Sequence, residues 1–210
     1  MADSHHESKT ALLDAAISVI RAKGYTATRV EDICQTAELT KGSFFHHFKS
    51  KEDLAIAAAE RWASVSGDLF ASAAYRELPD PLDRLLAYID LRKALLEGTL
   101  PQITCLAGTV IQEVYETHPE IRDACEKSIS EHMESLKPDI EAAIQKYCVD
   151  LPFSAESLAL YFQAVIQGGF VLAKGRQDSK VAADCLDHLR RYLEMLFAPR
   201  RPTVKAARRA

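Results

Sequence analysis

Glycine and proline are scarce in this chain of 210 residues, eight of each, and no stretch alternates apolar and polar residues as a half-buried strand does. Together these absences exclude a sheet-built architecture, and the chain reads as all-α. No apolar run approaches the length needed to cross a bilayer. The N-terminus, with Asp3, His5, His6 and Glu7, lacks the basic and apolar regions of a signal peptide, so a cytoplasmic protein without membrane contact is expected. The five cysteines, Cys34, Cys105, Cys125, Cys148 and Cys185, are widely spaced and odd in number with no CxxC pair, which makes them reduced thiols, mostly in the core. Catalytic signatures are missing as well: no GxSxG elbow, Walker loop, HExxH or dinucleotide fingerprint. His118, His132 and His188 are scattered, and no carboxylate pair has a spacing that argues for acid–base work. No enzymatic activity and no cofactor are expected.

What the chain does contain is concentrated in the run TRVEDICQTAELTKGSFFHHFKSKEDL at 28–54. Val30, Ile33, Cys34 and Ala37 recur at spacings of three and four, which puts them on one face of a short helix. Ala37, Glu38 and Leu39 make a turn. Thr40 stands where an N-cap belongs, so a second helix begins at Lys41. That helix carries no acidic residue, and nothing in it repels phosphate. Phe44 and Phe48, four apart, lock it onto its neighbour and leave Lys41, Gly42, Ser43, Phe45, His46 and His47 facing outward. Gly42 lets the helix N-terminus, with its free amides and positive dipole end, approach a groove closely. Ser50 caps a further helix, with Asp53 three residues on completing an approximate capping box and Lys49 and Lys51 flanking the start. Two short helices joined by a tight turn, then a third, are the pattern of a helix-turn-helix.

The residues from about 8 to 54 resemble the N-terminal domain of TetR-family transcriptional regulators. The run 41–54, the Gly24-Tyr25 pair closing the first helix and the opening at 28–33 stand in that family's order and spacing. Beyond this first quarter the likeness is architectural. The resemblance implies that Thr28, Lys41, Gly42, Ser43, Phe45, His46, His47 and Lys51 contact double-stranded DNA. Lys41 and Ser43, near the recognition helix's N-terminus, are placed for base edges, while His47, Lys51 and Thr28 are better placed for phosphates. Phe45 stands where the family most often has Tyr. A phenylalanine cannot donate to a phosphate oxygen, so its contact must be apolar, as with a thymine methyl. A metal site is the competing reading of the paired histidines. Neighbouring helical positions point about 100° apart, and no Cys or carboxylate lies at matching spacing, so no metal is expected.

Charge follows the same division. The net charge is −4, yet 1–54 holds seven Lys and Arg against eight Asp and Glu, 55–198 holds fourteen against twenty-two, and 199–210 holds five against none. The acidity lies in the middle of the chain, where it discourages nonspecific contact with nucleic acid. The expected organisation is a helix-turn-helix DNA-binding domain at 1–54, a larger helical effector-binding and dimerisation domain at 55–198, and a basic disordered tail at 199–210.

The body divides at readable punctuation. A helix runs from Lys51 through Trp62 to about Ala73, and Pro79 and Pro81 break it before Leu82, Leu85, Leu86 and Ile89 define the next. That one ends around Gly98, another covers 105–117, and His118-Pro119 precedes a long amphipathic run that Pro138 should kink or divide. Asp150 to Ser154 reads as a loop. Two last helices are expected at 154–174 and 181–197. Consecutive glycines, Gly168 and Gly169, sit mid-helix in the first, at a cost of about 1 kcal/mol each relative to alanine. Close helix approach offsets that cost. With Leu158, Phe162, Leu186, Leu189, Tyr192, Leu193 and Leu196 the pair is expected to build a four-helix interface in a homodimer, the mode that the resemblance also implies; packing against the protein's own helices is the alternative.

A two-fold dimer favours a palindromic operator, and the helix from Lys51 links the recognition unit to the body. A small-molecule effector shifting that helix by about 1–3 kcal/mol of coupling would switch DNA binding. The resemblance implies repression relieved by such an effector. Candidate effector residues are Trp62, Tyr88, Arg92, Cys105, Gln112, Tyr115, Phe162, Gln163 and Gln167, polar or aromatic side chains in apolar helices; core packing is the competing reading of each. A lysine folded beside Cys105, with Lys174 the candidate, would make that thiol a sensor of oxidants or electrophiles. A helical ligand-binding protein without sequence-specific DNA binding is the alternative function.

Overall fold

The computed structural model describes residues 2–147 and 152–198. Among the described residues there are eleven α-helices, a 3₁₀ turn and no strand. The helices are α1 (Ala2–Lys23), α2 (Val30–Thr36), α3 (Lys41–His47), α4 (Lys51–Ala71), α5 (Pro81–Ala94), α6 (Leu100–Ile103), α7 (Leu106–Val114), α8 (Pro119–Glu134), α9 (Lys137–Tyr147), α10 (Ala155–Arg176) and α11 (Lys180–Leu196), with the 3₁₀ turn at Ala74–Glu77.

The caps read from the sequence set the starts of the first helices. Thr40 Oγ1 accepts from the Ser43 amide at 3.1 Å to open α3, and Ser50 Oγ accepts from the Asp53 amide at 3.2 Å to open α4. The reciprocal half of that second box is displaced by one residue, because Asp53 accepts from Lys49 N rather than from Ser50 N, at 2.9 Å. Between α2 and α3 the chain reverses through Glu38, whose φ of 55° is left-handed, and the Leu39 amide returns to the Cys34 carbonyl at 2.9 Å.

In the body, Asp80 accepts from Leu82 N to start α5, whose first residue is Pro81. Pro138 divides the long amphipathic run: α8 ends at Glu134 and α9 opens at Lys137, which puts the proline in a first turn, where no intrahelical donor is missed. α4 stops at Ala71, two residues short of the expected end, and α6 is a short helix that the expected 98–101 break conceals. It is opened by Thr99, whose amide donates to Gln102 Oε1 at 2.9 Å.

Two apolar clusters fill the interior. One joins Leu12, Ile20, Ile33, Phe44 and Leu54 of α1–α4 to Leu106, Val110 and Val114 of α7 and to Ile121 and Cys125 of α8. The other joins Leu85 and Ile89 of α5 to Ile140 of α9, Phe162 of α10 and Leu193 of α11. Full burial of side chains of this size contributes about 1.5–3 kcal/mol each. The first cluster therefore welds α7 and α8 of the body to the helix-turn-helix.

Contrary to the expectation from apolar run length, α10 is by length and composition long and apolar enough to cross a membrane. A core helix with a second apolar face passes the same test, because burial on two sides removes the polar stripe of an ordinary amphipathic helix. Cys34, Cys105, Cys125 and Cys185 are free thiols. Cys148, Asp150 and the basic tail 199–210 lie outside the described residues.

Candidate functional site

α3 is seven residues long and is held by its two anchors: Phe44 and Phe48 are buried in the first cluster, with ring centroids 5.8 Å apart. Between them the helix turns its remaining residues outward. Phe45 is 59 % exposed, Lys41, Gly42 and His46 are exposed, and Ser43 and His47 are partly so. Lys41 pairs with Glu31 of α2 across the turn, an exposed ion pair that a phosphate can replace at small cost. His47 Nε2 lies 2.7 Å from Ser8 Oγ, tying α3 to α1.

Two of the expected DNA contacts are placed differently. Thr28 is only 1 % exposed, and its hydroxyl donates to the Gly24 carbonyl at 2.6 Å. It shapes the α1–α2 turn instead of offering a hydroxyl to phosphate, because the turn's carbonyl competes for the same proton. Lys51 donates to the carbonyls of Tyr25 and Thr28, at 3.2 and 3.1 Å, and lies 4.2 Å from the Tyr25 ring centroid. These contacts fix its ammonium against that turn.

The same turn is gripped from the body. Glu113 of α7 accepts from the amides of Tyr25 at 3.1 Å and Thr26 at 2.9 Å. Gly24, with φ of +86°, leaves the space this requires, since a Cβ there would stand 2.3 Å from Glu113 Oε1. Arg21, near the end of α1, completes the link: its Nε donates to Thr104 O at 2.7 Å and its Nη2 to Gln102 O. The recognition unit is therefore joined to the body through α7 and the α6–α7 connection as well as through α4.

Beside these links lies a cavity of about 200 Å³. α4 contributes Trp62, Ser66, Leu69 and Phe70, α5 and the residues just after it contribute Arg92, Leu95 and Leu96, and α10 contributes Gln163, Gln167 and Phe170. Arg21, Gln102, Thr104, Cys105, Ser128 and His132 close it from the remaining sides. Arg92 Nε donates to the Tyr88 hydroxyl at 2.8 Å and its Nη2 to His132 Nε2 at 2.7 Å. Because a guanidinium can only donate, Nε2 of His132 is the unprotonated nitrogen. Burial, then the charges of Arg92 and Arg76, depress the His132 pKa to about 3, so the ring is neutral. A second cavity, next to the first, is lined by Cys105, Thr109, Gln112, Glu113, Gln167 and Lys174 among others. Lys174 Nζ donates to Thr109 Oγ1 at 2.8 Å, and burial followed by the Arg21 charge lowers its pKa.

Of the effector candidates read from the sequence, Trp62, Arg92, Cys105, Gln163 and Gln167 meet in the first cavity and Gln112 lines the second. Tyr88 stands behind Arg92 as its hydrogen-bond partner. Two candidates are not brought there: Phe162 is a core residue with no exposed surface, and Tyr115 is 55 % exposed and lines neither cavity. Arg21, Phe70, Thr104, Ser128 and His132 are lining residues that sequence reasoning missed. Arg21 carried no signal, since it lies in the helix-turn-helix unit and reaches the cavity only through the tertiary fold.

The last two helices pack on each other, and this corrects the interface residues. Leu158, Phe162, Leu186, Leu189 and Leu193 are buried within the protomer, so their side chains hold α10 and α11 to their own core and are not available to a partner. The glycines divide: Gly169 faces α11, where a Cβ would lie 3.4 Å from Ala182 Cα, whereas a Cβ on Gly168 would meet nothing within 4 Å. Leu160, Tyr161, Val171 and Leu172 of α10 are exposed, as is Met195 of α11. Tyr192 and Leu196 are half-buried beside them, with the Tyr192 ring edge-on to Tyr161 at 5.3 Å.

Comparison with known proteins accords with this geometry. Residues 12–58 match the model of bacterial regulatory proteins of the tetR family, and residues 81–189 match that of the tetracyclin repressor-like C-terminal domain. The HTH-type transcriptional repressor NemR of Escherichia coli K12 is 25 % identical over 194 residues, covering 90 % of this chain and 96 % of that protein. Among solved structures, a TetR-family regulator from Agrobacterium tumefaciens superposes with a TM-score of 0.80 at 21 % identity, over 91 % of this chain and 98 % of that one. The reduced form of E. coli NemR does so with a TM-score of 0.76 at 22 % identity, over 88 % and 95 %. With both of its halves matched in order, the chain belongs to the TetR family of helix-turn-helix transcriptional regulators, which are DNA-binding proteins and not enzymes.

Proposed function

We propose that this regulator is a homodimeric repressor of a palindromic operator, released when a small molecule occupies the cavity between α4, α5 and α10. The observation that carries the DNA half is α3, an acid-free helix anchored by Phe44 and Phe48 with Lys41, Gly42, Phe45 and His46 turned to solvent. Lys41 and Ser43 read base edges and His47 and Lys51 hold phosphates. Thr28 positions the turn.

The dimer forms through the exposed face of α10, with Leu160, Tyr161, Gly168, Val171 and Leu172, and the adjoining Tyr192, Leu196 and Met195. An apolar helix face of this extent, with a glycine allowing close approach, is the usual material of a two-fold four-helix interface. Two boundaries follow for the proposal: 1–54 as the DNA-binding unit and 55–198 as the effector and dimer unit, coupled through α4, Glu113 and Arg21.

The test is quantitative binding to DNA flanking the regulator's own gene, with and without candidate ligands, for the wild type, Lys41→Ala and His47→Ala. Specific binding that the variants lose and one compound alters supports both halves. No specific binding by a folded protein at moderate salt leaves a helical ligand-binding protein and removes the regulator mechanism.

A second reading is favoured by one arrangement: Cys105 caps α7 and shares the second cavity with Lys174. In this reading Cys105 is alkylated or oxidised, and the change at the start of α7 is carried to Glu113 and the recognition unit. Iodoacetamide or hydrogen peroxide would then relieve operator binding in the wild type but not in Cys105→Ser. An equal response in both rules it out.

A further inference from the structure

The cavity between α4, α5 and α10 is basic and holds no acid. Arg21 and Arg92 are its two charged side chains, with no Asp or Glu in the lining. Every partner they have among the described residues is neutral. Arg21 donates to two backbone carbonyls and lies 4.6 Å from the Trp62 ring centroid. Arg92 donates to Tyr88 and His132 and lies 4.2 Å from the centroid of Phe70. Among the described residues, neither guanidinium's Nη1 makes a hydrogen bond.

Cations withdrawn from water into partly apolar surroundings are costly unless paired, and here two converge without a counter-charge. Ring faces and carbonyls meet part of that cost and leave donors over. One other polar atom of the same wall is left without a partner among the described residues. Thr104 Oγ1 is buried with no hydrogen bond, and the Gln163 side chain, 5 % exposed, lines the cavity. The rest of the wall is apolar, with Phe70, Leu96, Ile103 and Phe170.

We propose that the cavity binds a small amphipathic carboxylate, a compact hydrocarbon bearing one carboxyl group, whose oxygens accept from Arg92 and Arg21 while its apolar part packs on Phe70 and Leu96. The planar fork of a guanidinium fits a carboxylate in two parallel hydrogen bonds. The cavity volume, about 200 Å³, suits a compact ligand. The inference deepens the reading of this cavity as the effector site and rests on it for biological meaning. The consequence for switching is direct: a carboxylate that draws Arg21 from the Gln102 and Thr104 carbonyls loosens one of the ties between α1 and the body.

Trp62 is the single tryptophan of the chain and lines this cavity, so its fluorescence serves as a reporter of binding there. Octanoate, 4-phenylbutyrate and cyclohexanecarboxylate are titrated into the full-length protein beside their own carboxamides, with calorimetry as the second readout. At least one acid is expected to bind about ten-fold or more tightly than its amide, and Arg92→Gln and Arg21→Gln should each reduce that preference. Equal binding of acid and amide, or no binding by any acid to the wild type, overturns the proposal without recourse to the variants. Operator binding measured on the same samples separates the two claims. An acid that binds at Trp62 but leaves operator affinity unchanged keeps the carboxylate site and removes the effector role. A neutral compound that releases DNA from this cavity, where the acids do not bind, does the reverse.

Discussion

Glu113 holds the backbone of Tyr25 across 88 residues of sequence, accepting its amide at 3.1 Å while the other carboxylate oxygen accepts from Thr26. One side chain of the body thus fixes the turn that leads from α1 into α2. Glu113 also lines the second cavity with Cys105 and Lys174, so a change in that cavity is one side chain away from the recognition unit.

Replacing Glu113 by Ala removes two charge-assisted hydrogen bonds. Urea unfolding is expected to report a loss of about 1–3 kcal/mol, together with a weaker effector response in operator binding. Unchanged stability and an unchanged response would show that the grip is incidental. Gly24→Ala attacks the same contact from the other side, through a Cβ aimed at the carboxylate and a residue forced to positive φ.

Lys41 is held by Glu31 in the free protein. Lys41→Ala should weaken operator binding by about 1–3 kcal/mol and relax the preference at the base it reads. Glu31→Gln frees the lysine and should strengthen binding modestly, most clearly at low salt. Gel-shift titrations at several salt concentrations decide both; an unaltered affinity in Lys41→Ala would place the recognition surface elsewhere.

The two glycines of α10 should respond oppositely to a bulky residue. Gly169→Leu forces its side chain into Ala182 and Cys185 of α11 and is expected to destabilise the protein by about 1–3 kcal/mol. Gly168→Leu meets open space and should preserve the protomer's melting temperature while disrupting the dimer, seen as a lower mass by light scattering. A dimer that survives Gly168→Arg would move the interface off this face.

His132 is neutral in the fold because its pKa is depressed to about 3. Unfolding returns it to an ordinary value near 6.5, so between those limits the unfolded chain binds the extra proton and stability falls as pH is lowered. Between those limits this group gives a slope of up to about 1.4 kcal/mol per pH unit; its stabilisation is present in full above pH 6.5 and is lost progressively toward pH 3. Denaturation of His132→Asn over that range should show a flatter dependence than the wild type. Parallel curves would mean that His132 titrates alike in both states.

The helix-turn-helix was legible because its signals are local. Thr40 and Ser50 each cap a helix through an amide three residues on, and Phe44 and Phe48 anchor α3 through a one-turn spacing, so neighbours in sequence suffice. The same kind of signal at Thr99 and Gln102 was overshadowed by Gly98 and Pro101, which read as a break and hid α6. Thr28 looked like a surface residue because nothing in its neighbourhood revealed that the Gly24 carbonyl would take its hydroxyl.

Sequence alone determined most of the helices, the caps at Thr40 and Ser50 and the family, since each depends on short-range spacing and backbone hydrogen bonding. It could not tell which of two apolar faces of α10 points inward. Periodicity marks both alike, so Leu158 and Phe162 looked as available as Leu160 and Tyr161 until α11 covered one side. The cavity was likewise decided by tertiary structure only. Arg21, Trp62, Arg92, Cys105 and Gln163 come from separate segments, and the absence of a counter-charge between the two arginines is a property of the space they enclose.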